Sequence, residues 1–278
     1  MQTSSSSSSS SSGCKPFFAR IECWKDTQAL AATSPAPPAS EKLCFFSPEV
    51  SVEDADSIDC ALRYLHEGHN PVVLNLADDC FPGGCVDLGS GAQEESLFRR
   101  TNLCRTLDLS FYPIRDDELV YSPGVTVFKS SEAKDWVPLD APSDVKLAFI
   151  TCPGIKNPVL DHPSINDDDP QAARLKPRDE ARLRAKIRNV LRAARAKGHD
   201  VPVLGAMGCG AWRCPARHVA EVFKAVLAEE YELCSAFARV VFAVKARVDD
   251  MYITREVQRV DNHDVFCDVF RDALFVHD

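Results

Sequence analysis

No run of apolar residues in this 278-residue sequence approaches the about 20 needed to cross a bilayer as a helix, so nothing in it reads as a membrane span. Positive charge is not in excess either. The formal net charge is −9, which removes non-specific attraction to bulk DNA, RNA or an anionic membrane as a default mode of action. A phosphate-bearing ligand would have to be held by backbone N–H groups and helix termini rather than by a basic field. No signal peptide is visible, and the 12 cysteines lack the spacing of a short secreted domain. Reduced thiols and a location in the cytoplasm or nucleus are the expectation. Internal repeats are missing too. What is present is ordinary: 45% hydrophobic and 26% charged residues, in a chain long enough for one large domain with a real core.

The organisation changes along the chain. An unbroken serine tract from Ser4 to Ser12 cannot bury apolar surface, so residues 1–16 read as a disordered tail. Phe17, Ile21, Trp24 and Leu30 fall at roughly helical spacing and predict a docked helix over residues 17–32. The stretch TSPAPPAS, residues 33–40, breaks it and reads as a linker. The core is expected over residues 41–278.

Helices and strands alternate within that core. A helix is predicted over residues 51–69, with Ala55, Ile58, Leu62 and Leu65 on one face and Gly68 at its end. The short apolar run of residues 71–77 reads as a buried strand. A helix over 93–107 and strands over 125–129 and 145–151 follow. Residues 177–197 form a long helical pattern, with Leu183, Ile187, Val190, Leu191 and Ala194 in one stripe, Pro177 in the first turn and Gly198 beyond the end. A strand over 201–206, a helix over 217–230 and a strand over 238–244 complete the series. This alternation predicts one α/β domain, a largely parallel sheet between two helix layers. In such sheets ligands sit beyond the carboxyl ends of the strands.

Two glycine-rich loops leave such strand ends. The first holds Gly83, Gly84 and Cys85, followed by Gly89 and Gly91; the second runs Gly205-Ala206-Met207-Gly208-Cys209-Gly210-Ala211-Trp212. Glycine lets backbone approach a ligand without a Cβ clash, and successive exposed N–H groups can cradle an anion. Neither loop has the Gly-Lys-Ser/Thr of a mononucleotide loop or the spacing of a dinucleotide loop. Either loop alone reads best as a tight strand-to-helix turn; two at one sheet edge favour a ligand the size of a diphosphate. Gln93-Glu94-Glu95 then opens a helix. Adjacent helical residues project about 100° apart, so the two acids cannot do the same job. Stabilisation of a helix N-terminus accounts for two such acids as well, and on spacing alone accounts for them better.

The residues themselves decide further. The segment VLNLADDCFPGGCVDLGSGAQEESLFRRTNLCRTL resembles the bacterial-type poly(ADP-ribose) glycohydrolase family, a branch of the macrodomain fold. YSPGVTVFK (residues 121–129) is similar to a further family segment, and VLGAMGCGAWRCPARHVAEVFKAVL to its second phosphate loop. The similarity covers residues 17–244. It implies a macrodomain-like three-layer α/β/α sandwich with a mixed, largely parallel sheet. It implies a glycosidase that cleaves the ribose–ribose O-glycosidic bond of poly(ADP-ribose) without cofactor or metal. Its partner would be ADP-ribose or its polymer on modified proteins, or on nucleic acid ends, and the protein is expected to be a monomer.

By the same resemblance, Glu95 is the catalytic acid and base and Glu94 holds ribose hydroxyls beside the scissile bond. Gly83, Gly84 and Cys85 would meet the diphosphate from one side, and Gly208, Cys209, Gly210, Ala211 and Trp212 from the other. Asn75 would order the site from below, and Gln93 is grouped with the substrate-binding residues. A single carboxyl that donates and then accepts a proton must be raised toward neutral pH by burial and by the neighbouring diphosphate.

Three positions depart from the family pattern: Cys85 for a third loop glycine, Trp212 for Phe, and Asp78 for Ser or Asn. They keep two alternatives open, a non-catalytic ADP-ribose reader and a mono-ADP-ribosyl hydrolase. Elsewhere, the cysteine pairs 80/85 and 209/214 lack nearby histidines for zinc and read as buried or loop thiols. Asp167-Asp168-Asp169 reads as a solvated acidic loop. His162, His199 and His218 read as loop or helix-surface residues. The Arg- and Lys-rich helix after Arg174 reads as a solvated face before it reads as a patch for a polyanion.

Overall fold

Every residue of the strand Pro71–Asn75 (β3) is buried, which happens only where both faces of a sheet are covered. The computed structural model describes residues 19–21, 48–140, 145–161, 172–246 and 261–271. Among the described residues the other strands are Ala19–Ile21 (β1), Glu49–Glu53 (β2), Leu119–Thr126 (β4), Lys146–Thr151 (β5), Leu160–Asp161 (β6), Arg174–Leu175 (β7), Val201–Leu204 (β8) and Arg239–Ala243 (β9). Seven of them form one sheet in the order β1-β4-β5-β3-β8-β9-β2, and β6 and β7 pair separately. From β5 to β2 all neighbours run parallel; β4 is antiparallel to both β5 and β1.

The helices are Ser57–His66 (α1), Gln93–Arg100 (α2), Pro177–Ala196 (α3), Ala216–Glu229 (α4), Tyr231–Cys234 (α5) and Asn262–Phe270 (α6). Alternation along the strands divides them into two layers. Val72, Leu74, Ala148, Ile150 and Phe242 pack with α3, α4 and α6. Val73, Leu147, Phe149, Val203 and Val241 pack with α1 and α2 on the other face. This is the three-layer α/β/α sandwich with a mixed, largely parallel sheet that the resemblance implied. No described helix is long and apolar enough to cross a membrane.

Several local expectations were displaced by tertiary pairing. Residues 19–21, expected within a helix, pair as an edge strand with Leu119 to Tyr121 of β4; the rest of the expected helix, the serine tract and the linker lie outside the described residues. Residues 51–53, expected to begin α1, belong to β2, because a parallel ladder with β9 takes their backbone groups. The helix then starts at Asp56, whose side chain accepts from the amides of Ile58 and Asp59. Ile58, Ala61 and Tyr64 carry its buried face, whereas Leu62 and Leu65 are only partly covered.

The helix expected to reach residue 107 ends at Arg100, because Thr101 turns extended and caps the amide of Leu103, opening a 3-10 turn. β4 starts earlier than expected: Pro123 and Gly124, which look like breakers, form a bulge between Ser122 and Val125 inside it. The long helix carries all five predicted stripe residues in the core. His199 and His218 are buried rather than superficial, bonded to the Tyr121 hydroxyl and the Leu175 amide. The acidic loop and His162 lie outside the described residues, as does α6's connection to β9.

One ion cluster fixes the two helices that border the site. Arg100 is fully buried, and its guanidinium binds both Asp56 and Asp59 of the α1 N-terminus. Ser131 and Lys134 complete Asp59. Removing the guanidinium would leave two carboxylates without their buried partner. Arg100→Ala is therefore expected to destabilise the fold by about 3–5 kcal/mol, read as a lower denaturant midpoint in equilibrium unfolding; a change below 1 kcal/mol would contradict this account.

Candidate active site

β3 delivers the chain into the first glycine loop at the carboxyl edge of the sheet, and α2 returns from it. The return is stitched by Gln93. Its Oε1 accepts from the Leu76 amide at 2.9 Å, and its Nε2 donates to the Leu74 carbonyl at 2.8 Å and to Ser57 Oγ at 3.2 Å. Both ends of this amide are taken by protein groups, so Gln93, although it lines the cleft, braces the site instead of reading a substrate.

The next residue carries the densest bonding. Glu94 is 3% exposed. Its Oε1 accepts from Asn75 Nδ2 at 3.2 Å and from the Gly83 amide at 3.1 Å; its Oε2 accepts from the Asp78 amide at 2.7 Å. Burial is the larger influence and pushes the carboxyl up to about 7, aided by the charge of Glu95 and opposed by the three donors. Asn75 is fully buried below, where its Nδ2 also reaches Thr151 Oγ1 at 3.3 Å. It supports Glu94 from below and does not line the cleft.

Glu95 is different. It is 6% exposed and lines the cleft, with one amide donor, that of Cys85, on its Oε1 at 3.1 Å. The two acids thus divide: Glu94 is anchored by three donors and Glu95 by one. The carboxyl raised by burial toward neutral pH is that of Glu94, the acid to which the resemblance assigned ribose hydroxyls.

The first loop holds these acids rather than offering open amides. The Gly83 amide binds Glu94, the Cys85 amide binds Glu95, and the Gly84 amide closes a turn onto the Phe81 carbonyl at 3.3 Å. The expectation that all three face a diphosphate is corrected accordingly. Gly83 is a packing glycine, since a Cβ there would lie 2.6 Å from the Phe98 ring. Gly84, at φ +52°, brings backbone against the acids; a Cβ would sit 3.0 Å from Glu95 Oε1 and 3.3 Å from Glu94 Oε2. Cys85 has φ −103°, so the side chain that departs from the family pattern causes no backbone strain.

The second loop, after β8, faces the first across the cleft. Gly208, Gly210, Ala211 and Trp212 line it. Among the described residues their amides make no backbone hydrogen bond. Cys209 is a correction: its amide donates to the Ala206 carbonyl at 3.1 Å and its thiol turns inward to the Met207 carbonyl, so it braces the turn. The far wall comes from Asp56, Ser57, Val244, Lys245 and Asn262, none of which sequence reasoning singled out. The cleft encloses about 420 Å³, within the range of small-molecule sites. The arginines of α3 do not form a free basic patch: Arg184, Arg188 and Arg192 pair with Glu180, Glu229 and Glu230.

A family model, the microbial-type poly(ADP-ribose) glycohydrolase (PARG) catalytic domain, matches residues 19–130, the span that holds β3, the first loop and both acids. Over this span the chain is similar to the microbial-type PARGs. The PARG of Thermomonospora curvata is 29% identical, over 87% of this chain and 82% of that one, with a TM-score of 0.66. A T. curvata PARG structure bound to the inhibitor ADP-HPD has 29% identity and a TM-score of 0.63, over 87% of this chain and 82% of that one. The PARG of Deinococcus radiodurans in complex with ADP-ribose is 27% identical over 82% of this chain and 85% of that one, with a TM-score of 0.63. No curated protein matches in sequence.

Two outcomes are expected of the PARG-like site. Gly84→Ala should lose about 1–2 kcal/mol of stability from the left-handed backbone, and more activity than that loss explains, because its Cβ displaces Glu95; unfolding and ligand-binding measurements on one preparation separate the two. Between its ordinary 4.5 and about 7, the folded chain keeps a proton on Glu94 that the unfolded chain has released, so this residue makes stability fall as pH rises through that window. Glu94→Gln should flatten that slope, a difference of about 2 kcal/mol between pH 5 and pH 8 in urea unfolding.

Proposed function

We infer that this protein hydrolyses poly(ADP-ribose), cleaving the ribose–ribose O-glycosidic bond to release ADP-ribose, with Glu95 as general acid and base. The observation that carries this reading is the unequal bonding of the two acids. One carboxylate is fixed under the loop by three donors, and the other stands in the cleft with one. A site of this form positions its substrate through Glu94 and moves a proton through Glu95.

The steps follow from that division. The open amides of the second loop meet the diphosphate, where no Cβ intervenes at Gly208 and Gly210. Trp212 offers a flat face for a ribose or base at the mouth. Glu94 Oε2 takes one protein donor, so a lone pair remains for a ribose hydroxyl. Glu95 donates its proton to the leaving ribose oxygen as the C1–O bond breaks toward an oxocarbenium-like state. Its carboxylate then accepts a proton from the water that attacks C1, restoring the acid. The Cys85 amide on Oε1 keeps the carboxylate oriented through both half-steps. The substrate is ADP-ribose in polymeric form, carried on modified proteins or on nucleic acid ends.

The decisive measurement is release of ADP-ribose from labelled polymer. Wild type is expected to release it, and Glu95→Gln to be slower by about 10²–10⁴-fold while still binding ADP-ribose. A wild type that binds ADP-ribose and releases none would make the protein a reader; full activity in Glu95→Gln would assign the chemistry to another group. Comparing polymer with single-unit protein adducts in the same assay decides between chain and mono-ADP-ribosyl substrates.

A further inference from the structure

A third loop contacts both glycine loops. Residues 152–156 leave the carboxyl end of β5 and pack against the second loop: a Cβ on Gly154 would lie 3.1 Å from the Gly208 nitrogen. The Cys214 thiol donates to the Ile155 carbonyl at 3.1 Å, fixing the same contact from below. At the end of this segment Lys156 crosses to the first loop. Its Nζ lies 3.2 Å from Asp78 Oδ2 and 2.7 Å from Asp79 Oδ1, and 5.4 Å from the centre of the Trp212 ring. One ammonium therefore links Asp78 and Trp212, which line the cleft from its two sides.

Its acidic partner is part of the site. Asp78 Oδ1 accepts from the amides of Cys80 and Phe81, setting the turn that leads into the glycines, while its own amide donates to Glu94 Oε2. Asp78 also lines the cleft. Two carboxylates at the mouth would repel a diphosphate, and Lys156 offsets them where the ligand enters. Ligand atoms of Asp78, Asp79 and Cys80 lie close enough together to suggest a cation; the ammonium already sits on both carboxylates. The side chain is 41% exposed, so these pairs add little to fold stability. Their consequence lies in the potential at the mouth and in the placement of Trp212.

We propose that Lys156 is a positioning residue for the diphosphate of the substrate: it cancels the charge of Asp78 and Asp79 and holds Trp212 toward the first loop. This rests on the glycohydrolase reading and names a residue for it that lies outside both glycine loops. Lys156 touches no reacting atom, so its loss should change binding and leave the proton transfer intact.

The test uses calorimetric titration of the full chain with ADP-ribose, together with steady-state hydrolysis of polymer. Lys156→Met is expected to weaken ADP-ribose binding about tenfold, equivalent to about 1.4 kcal/mol, and to raise KM by a similar factor with kcat within about twofold of wild type. Lys156→Arg should retain most of the affinity. Adding Asp79→Asn to Lys156→Met should recover part of the loss, because it removes one of the two uncompensated charges. A thermal midpoint close to wild type in all variants keeps the comparison one of binding. The proposal is overturned if Lys156→Met binds as tightly as wild type, or if the double variant binds no better than Lys156→Met. A wild type that binds no ADP-ribose would instead overturn the glycohydrolase reading beneath it, a result distinct from any difference between variants.

Discussion

A carboxylate almost fully withdrawn from water, held by three donors, is the constraint around which the cleft is arranged. The Glu94 side chain collects a side-chain amide from β3, the backbone amide of Asp78 beyond that strand's end and a backbone amide from the first glycine loop. Burying a charge without such partners is strongly unfavourable. The strand end, the loop and the α2 N-terminus therefore have to meet at one point for the carboxylate to be tolerated. Even so, burial outweighs the donors and lifts the carboxyl to about 7. The same convergence leaves Glu95, one residue on and turned by a helical step, lining the cleft beside Glu94 with a single amide to orient it.

The two glycine loops look alike in sequence but do different work. In the first, glycine permits backbone to close on two acids and on the Phe98 ring, and its amides are taken by those acids and by its own turn. In the second, the amides of Gly208, Gly210, Ala211 and Trp212 point to no backbone acceptor among the described residues, and the loop is tied down from behind through Cys209, Cys214 and Gly154. One loop is closed around the two acids, and the other keeps amides without a backbone acceptor among the described residues. The segment after β5 joins them, with Lys156 as the cation that links an acidic rim to an aromatic one. Around this, Arg100 anchors α1 and α2 to each other through Asp56 and Asp59, so the walls of the cleft are set by a buried ion cluster as well as by the sheet.

The residues that periodicity identified well are those buried on both sides or along one long face. β3 and β8 are short, apolar and central, and α3 keeps its five-residue stripe in the core, because burial of that stripe is what stabilises the helix. The failures lie where a backbone ladder took residues with no strong pattern of their own. Residues 19–21 and 51–53 became strands because β4 and β9 presented unpaired edges to them. The strand expected from residue 125 begins at Leu119, carrying Pro123 and Gly124 in a bulge, and α6 packs Phe266 and Phe270 on Phe242 from a sequence distance that no local window spans.

Sequence by itself determined the alternation of elements, the two glycine loops at one sheet edge and the pair of acids that opens α2. These follow from local chemistry: side-chain period, glycine's freedom and the order of residues in a motif. Tertiary structure alone decided that Glu94 takes three donors and Glu95 one although both line the cleft, that the Gln93 amide and the Cys209 thiol are bonded to protein groups, and that Lys156 joins loops from three different strands. Those outcomes depend on distances between groups far apart in the chain, and on how many donors reach each oxygen once water is excluded. No spacing along a sequence encodes them.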